Sequence, residues 1–196
     1  MSSMVLSGDT SGTVTVTVPA VAGTNTVTIP AVTGTVMVSG NMPAFSAYRA
    51  SGSGNQSVSN ATSVVAALDT KLFDTATCFN NTGSTATLNG LSVPAYAFCP
   101  NVAGYYQING RIDTYASVGL NFGQCNIYKN GSLYKSGGLL NITGIGEVAL
   151  NSSCLVYLNG TGDYVTLIGY VNGSSGQVFL AGQTGLWFDG ALMRAA

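Results

Sequence analysis

Few side chains in this sequence could do chemistry, and their types exclude most catalytic designs. The 196 residues include no histidine, seven acidic residues and four cysteines. Without histidine, the Ser/His/Asp and Cys/His nucleophile systems are excluded. A carboxylate pair for glycoside cleavage could be drawn from five positions in turns or at strand ends, which are Asp74, Asp113, Glu147, Asp163 and Asp189. We expect structural roles for these carboxylates, no catalytic residues and no enzymatic activity.

Metal and cofactor sites are equally poorly supported. The cysteines, at positions 78, 99, 125 and 154, have no CxxC spacing, and a mixed Cys/His zinc site is impossible without histidine. No Asp-x-Asp cluster supplies calcium ligands, although a site lined by carbonyl oxygens stays open. Residues 144–149 fit GxGxxA, but they lead into a strand rather than a helix. We therefore predict no metal and no cofactor.

The redox state of the cysteines has two interpretations. Four cysteines permit three disulfide pairings. Cys125 and Cys154 lie within apolar, strand-like runs, where a free thiol behaves as a small hydrophobic group. The first eight residues lack the cationic and apolar segments of a signal peptide. Buried free thiols are therefore the favoured expectation, and a disulfide framework is the alternative.

The composition also limits the partners. Only 7% of the residues are charged and the net charge is -1, so hydroxyl and amide groups must supply the surface polarity. The six Lys and Arg residues are scattered singly, which disfavours nucleic-acid binding. No apolar run approaches the ~18 residues of a spanning helix, so we expect no membrane insertion.

Alternating polarity predicts that strands position these side chains. Within Phe98–Ile112, one parity is apolar at Tyr106, Ile108 and Ile112, while the other carries Gln107, Asn109 and Arg111. The Asn130-Gly131 pair between two apolar-containing runs predicts a hairpin with a type I′ turn. Two glycine-containing stretches, 116–123 and 136–146, are predicted to be connections. The chain is predicted to be all-β.

The first forty residues form a different kind of segment. Residues 16–24 recur with small changes as 27–35, and valine alternates with threonine from Thr13 to Val18. About 40 residues cannot bury these aliphatic side chains against each other, so another chain or a larger particle must cover them. We therefore predict a β-rich anchor at residues 1–40 and a head domain at 41–196. The anchor positions are Val14, Val16, Val18, Val27 and Ile29.

Several short motifs, in the same order along the chain, resemble those of a known family. Ala44-Phe45-Ser46-Ala47, Phe98-Cys99-Pro100, Lys129-Asn130-Gly131, Gly162-Asp163 and Phe188-Asp189-Gly190 resemble the globular head of complement component one q, in the jelly-roll superfamily shared with tumour necrosis factor. The resemblance covers about residues 44–192. It implies an antiparallel jelly-roll β-sandwich that forms a homotrimer.

A second resemblance concerns the N-terminal segment. Residues 8–12 and 16–24 are similar to stretches common in bacteriophage fibre proteins. The two resemblances together favour a bacteriophage virion protein, either a trimeric fibre or a capsid decoration, assembled in the host cytoplasm. Its partners would be itself, other virion proteins and a glycan or protein of the host surface. An extracellular lectin-like module outside any virion is the alternative.

Aromatic residues are the candidates for contact surfaces. They could fill a subunit interface or form a sugar-stacking patch, since both uses need large amphipathic area. For a trimer we predict interface roles for Tyr106, Tyr164, Tyr170 and Phe188. Tyr115 and Tyr134 are predicted to stand on loops and contact a ligand.

Overall fold

A computed structural model describes residues 3–21, 23–28, 31, 33–34, 36–173 and 175–196. The chain divides into two compact units, Met1–Gly34 and Thr35–Ala196. The predicted boundary after residue 40 falls a few residues beyond this division.

Strands dominate the described residues. In chain order they are β1 (Ser3–Ser7), β2 (Thr13–Thr17), β3 (Ala44–Tyr48), β4 (Gln56–Ser57), β5 (Thr62–Val65), β6 (Thr70–Asp74), β7 (Ala86–Leu88), β8 (Leu91–Val93), β9 (Ala97–Phe98), β10 (Gly104–Lys129), β11 (Ser132–Leu158), β12 (Val165–Gly173), β13 (Val178–Phe179) and β14 (Leu186–Ala195). Two short 3₁₀ turns lie at Ser39–Asn41 and Ser51–Ser53. The all-β prediction is confirmed.

The smaller unit contains an antiparallel hairpin of β1 and β2. Met4 lies opposite Val16, and Leu6 lies opposite Val14. Because side chains alternate across a strand, these four share one face. Ser and Thr side chains predominate on the other face, which makes the hairpin amphipathic.

The long hairpin of β10 and β11 organises the larger unit. The predicted strand through Phe98–Ile112 corresponds to β9 and the first part of β10, which continues to Lys129. Stretches 116–123 and 136–146 lie within β10 and β11, so the prediction that they are connections is wrong. Register shifts between Tyr115 and Phe122 absorb the extra residues, as bulges do in antiparallel ladders.

Two layers are built on the two halves of this hairpin. We define sheet I as β6, β3, β14, the start of β10 and the end of β11, which pair in that order. Sheet II consists of the start of β11, the end of β10, β12 and the short strands β5 and β9. All of these pairings are antiparallel. Together they form the predicted jelly-roll sandwich.

An aromatic cluster fills the space between the layers. The rings of Phe45 and Phe98 stack with centroids 4.3 Å apart, and Phe45 and Phe79 stack at 4.9 Å. Ile127 and Leu167 of sheet II belong to the same buried cluster. Burial of each such side chain contributes roughly 1.5–3 kcal/mol to folding.

Tyr106 and Phe188 are part of this core. Both side chains are 0% exposed, and the Tyr106 hydroxyl donates a 2.6 Å hydrogen bond to the Val102 carbonyl. The prediction that they lie at a subunit interface is wrong, because neither has surface left to meet another chain. Tyr106 shares its strand parity with Ile108 and Ile112, a pattern that already favoured a core position.

Candidate binding surfaces

The outer face of sheet I, here called the sheet I face, carries exposed apolar side chains. Its members lie on β6, β10, β11 and β14 and are between 39% and 65% exposed: Phe73, Tyr105, Tyr115, Leu155, Tyr157 and Met193. The rings of Tyr105 and Tyr157 lie 5.5 Å apart. Exposed apolar groups concentrated on one face are typical of protein contact surfaces.

A polar cluster lies among these apolar groups. Asn109 donates a 3.0 Å hydrogen bond from Nδ2 to Asp189 Oδ1, and Gln107 Nε2 donates to Ser153 Oγ at 2.9 Å. The Ser153 hydroxyl in turn donates to Asn109 Oδ1 at 2.8 Å. Burial raises the pKa of Asp189, and the Asn109 amide partly opposes that effect. A recess of about 280 Å³ lies beside the cluster, with Phe73 and Met193 in its lining.

Three of the other carboxylates considered for catalysis in the sequence are held in ion pairs, whereas Glu147 forms none with another described side chain. Asp74 pairs with Lys71 at 3.0 Å, Asp113 with Arg111 at 2.7 Å, and Asp163 with Lys129 at 2.8 Å. These contacts account for the three carboxylates as structural groups that hold strands and turns in place.

Asp163 joins the tip of the long hairpin to the loop before β12. Besides Lys129, it accepts a 2.7 Å hydrogen bond from Asn130 Nδ2. Asn130 and Gly131 have φ of 50° and 77°, as the predicted type I′ turn requires. The backbone N–H of Tyr164 donates to Asn130 Oδ1 at 2.9 Å, so this turn also fixes the start of β12.

Tyr170 lies on the outer side of sheet II, away from the sheet I face. It is half-buried and meets the Phe122 ring edge-on at 5.5 Å. Tyr164, also half-buried, lines a separate recess together with Tyr128 and Thr166. Tyr164 and Tyr170 therefore lie apart from the buried Tyr106 and Phe188. The interface role of Tyr164 and Tyr170 stays a prediction.

Tyr115 and Tyr134 both lie within strands rather than on loops. Tyr115 is on β10 and is 39% exposed, while Tyr134 is on β11 and is 40% exposed. The Tyr134 hydroxyl donates a 3.2 Å hydrogen bond to the Leu155 carbonyl. The loop position is a wrong prediction, since glycine-containing sequence around them is taken up into the long hairpin. Ligand contact by these two residues stays a prediction.

The apolar face of the N-terminal hairpin is exposed. Met4, Leu6, Val14 and Val16 are 55%, 52%, 64% and 51% exposed. Val18 and Val27 are also exposed, whereas Ile29 lies outside the described residues. A two-stranded hairpin alone is marginal in water, and this one buries none of these side chains.

All four cysteines are free and buried. Burial raises the pKa of Cys125 to about 12 and that of Cys154 to about 11. Because the thiolate is the reactive form, these thiols are poorly suited to nucleophilic or redox chemistry at neutral pH.

The described residues contain neither a metal-binding cluster nor a membrane-spanning helix. No cluster of three or more Cys, Asp or Glu side chains there could hold a metal ion. Within the same residues, no helix has the length and apolar character needed to cross a membrane.

Comparison with solved structures places this fold among known domains. The globular domain of zebrafish complement 1qA protein matches with a TM-score of 0.51 and 16% identity, over 79% of this chain and 98% of that one. Eiger TNF from S. frugiperda gives a TM-score of 0.53 with 12% identity, over 80% and 95% of the two chains. Murine APRIL at pH 8.5 gives 0.52 with 6% identity, over 78% and 99%. At these identities the likeness establishes the jelly-roll fold and no more.

Comparisons by sequence gave no relative. No protein-family profile matches the chain. A search of curated proteins also found no match.

Proposed function

We propose that this chain is a homotrimeric structural and binding protein of a bacteriophage particle, a short fibre or capsid decoration. The jelly-roll head binds, and the N-terminal hairpin anchors the chain. The observation that carries the proposal is the apolar hairpin face, with Met4, Leu6, Val14 and Val16 all more than half exposed. Such a face calls for a protein surface to cover it.

The sheet I face supports self-association. Its exposed Phe73, Leu155 and Met193 are 50%, 53% and 65% exposed, and they surround a polar cluster whose hydrogen bonds are already made within the chain. An apolar patch with satisfied polar groups can be covered without stranding a buried donor or acceptor. The jelly-roll likeness is consistent with three copies arranged about one axis.

The N-terminal segment is the part of the chain that favours a place in a bacteriophage particle. Residues 8–12 and 16–24 resemble bacteriophage fibre sequences, and four apolar side chains of the hairpin, those of Met4, Leu6, Val14 and Val16, share one face. We propose that another virion protein covers this face and that the particle assembles in the host cytoplasm. Four free, buried thiols are consistent with assembly in a reducing compartment.

The proposed activity is binding rather than bond breaking. Three heads on one anchor would reach host glycan or protein with several weak contacts at once, which raises the overall affinity. The alternative is an extracellular lectin-like module that works without a virion. Disulfide formation among the four cysteines in the natural protein would favour that alternative.

The test is removal of residues 1–40 from the protein as it occurs in its particle. We expect the truncated head to keep the cooperative thermal unfolding of the full chain and to be lost from particles purified by density gradient. A matched control replaces Thr13 and Thr15, on the hydroxyl face of the hairpin, with serine and should be incorporated normally. Full incorporation of the truncated head into particles would overturn the anchor role of residues 1–40.

A further inference from the structure

The outer side of sheet II, here called the sheet II face, forms a shallow groove. Core residues Cys125, Ile127 and Leu167 point inward, so the alternate positions point outward. The outward side chains pair across β10 and β12: Phe122 with Asn172, Gln124 with Tyr170, Asn126 with Ile168 and Tyr128 with Thr166. From Thr166 to Asn172 the groove is about 20 Å long, at about 3.3 Å per residue.

Two recesses lie along this groove. One, of about 380 Å³, is lined by Phe122, Gln124, Tyr170 and Asn172. The other, of about 350 Å³, has Tyr128, Tyr164 and Thr166 in its lining and reaches Ile168. Asn126, which is opposite Ile168 in the ladder, lies between the two recesses.

Asn126 has an unmet hydrogen-bonding group. The residue is only 4% exposed, and among the described residues its Oδ1 has no hydrogen-bond partner. Buried polar atoms without a partner are uncommon in folded proteins. Because this oxygen is enclosed and Asn126 lines neither recess, the atom lies beneath the groove, out of reach of a molecule seated in it.

The groove differs from the polar cluster on the sheet I face in the hydrogen bonding of its side-chain amides. There, Asn109, Gln107 and Asp189 bond to one another or to Ser153 at 2.8–3.0 Å. A ligand would have to break those bonds before it could use them. On the sheet II face, by contrast, the side-chain amides of Gln124 and Asn172 line a recess and make no hydrogen bond to another described residue.

The lining chemistry favours one class of ligand. Aromatic rings at Phe122, Tyr128 and Tyr170 can pack against the C–H face of a pyranose, while the Gln124 and Asn172 amides can both donate to and accept from ring hydroxyls. None of the described side chains that line the two recesses is charged. Neutral donors and acceptors beside apolar surface match an uncharged ligand rich in hydroxyls.

We propose that the sheet II face binds a neutral oligosaccharide, with Gln124 and Asn172 as hydrogen-bonding residues and Tyr170 as an aromatic platform. This inference rests on the binding role in the proposed function and names its site and ligand class. The groove lies on the opposite layer of the sandwich from the sheet I face. Self-association through the sheet I face therefore leaves the groove open.

The experiment is a titration of the full-length, ¹⁵N-labelled chain with maltohexaose, cellohexaose and hexa-N-acetylchitohexaose, each alone. Hexagalacturonate serves as the charged comparison. We expect at least one neutral oligosaccharide to shift the side-chain amide signals of Gln124 and Asn172, with a Kd on the order of 1 mM. Backbone signals of the sheet I face should stay unchanged.

Two variants extend the test. Gln124→Ala and Asn172→Ala should each weaken binding about tenfold, as expected for the loss of one hydrogen bond in a desolvated site. Asn151→Ala, at an exposed position on the outer side of β11 in sheet I, is the matched control and should bind as the parent does.

Three results would overturn the groove assignment. They are no binding of any neutral probe, binding of hexagalacturonate alone, and shifts that avoid the groove or survive both variants unchanged. Gln124→Ala should still sediment and enter particles as the parent does. A parent protein that is monomeric or absent from particles would count against the proposed function. A parent that associates and enters particles but binds no saccharide would count against the groove alone.

Discussion

Asn109 and Asp189 lie directly opposite each other on β10 and β14, and the Asn109 amide donates a 3.0 Å hydrogen bond to the Asp189 carboxylate. Burial raises the pKa of Asp189 above its ordinary value of 3.8. The folded chain therefore holds the Asp189 proton more tightly than the unfolded chain does. The resulting stabilisation is fully present below pH 3.8 and is lost as the pH rises through the folded-state pKa.

We expect the free energy of unfolding of the parent, relative to Asp189→Asn, to fall as the pH rises. The neutral amide can still accept the bond from Asn109 but carries no buried charge. Urea denaturation of both proteins between about pH 3 and pH 7 measures the difference, and the comparison cancels the titration of other carboxylates. A difference that stays constant or changes in the parent's favour would contradict the pKa direction.

Asp163 should show the opposite pH dependence. Burial alone raises the pKa of Asp163, but the hydrogen bonds from Lys129 and Asn130 and the Lys129 charge outweigh it and hold the pKa below 3.8. The stabilisation is therefore present above pH 3.8 and is lost as the pH falls through the lower folded-state value. Asp163→Asn should lower the free energy of unfolding by about 1–3 kcal/mol at neutral pH, and the deficit should shrink in acid. Equal stability at neutral pH would remove Asp163 as the group that fixes the hairpin tip.

The turn at Asn130-Gly131 allows a backbone test. Gly131 has φ of 77°, a conformation that a side chain disfavours by about 1–2 kcal/mol. Gly131→Ala should lower the free energy of unfolding by that amount in urea denaturation. Gly52→Ala is the matched control, since Gly52 has no positive φ and an added Cβ there would meet nothing within 4 Å. Similar losses in both variants would mean that the turn conformation is not the cause.

These turn and strand assignments were predictable from sequence because their signals are local. Asn-Gly specifies its own backbone, and alternation through residues 104–112 specifies a strand whatever lies around it. By contrast, the Asn109–Asp189 pair joins residues 80 positions apart and depends on a register that composition does not reveal. The long hairpin escaped prediction because bulges carry its glycine-rich stretches without breaking the ladder. The groove has no sequence motif at all, since its two rows meet only when β10 and β12 pair.

The sheet I face can be tested with a charge. Leu155→Glu should weaken self-association by at least about tenfold, because Leu155 is 53% exposed in the single chain and a buried carboxylate at an interface lacks a partner. Leu133→Glu is a matched control, since Leu133 is 55% exposed but lies at the hairpin tip. Sedimentation velocity over a range of concentrations measures both. Dissociation by the Leu133 change but not the Leu155 change would move the interface to the tip.

The hairpin face can be tested without deleting it. Leu6→Asn together with Val14→Asn replaces two of the four apolar side chains of the hairpin face with amides, and we expect this double variant to be lost from particles. The head should keep its melting temperature, because Leu6 and Val14 belong to the other compact unit. Normal incorporation of the double variant would show that the apolar face is not what binds the particle.

Sedimentation equilibrium of the full-length chain tests the central claim most directly. If three copies associate through the sheet I face, the sedimenting species has three times the 19.9 kDa mass of one chain. We predict that this trimer persists on dilution to micromolar concentration. A single species of 19.9 kDa at the concentrations at which the protein works would contradict the account.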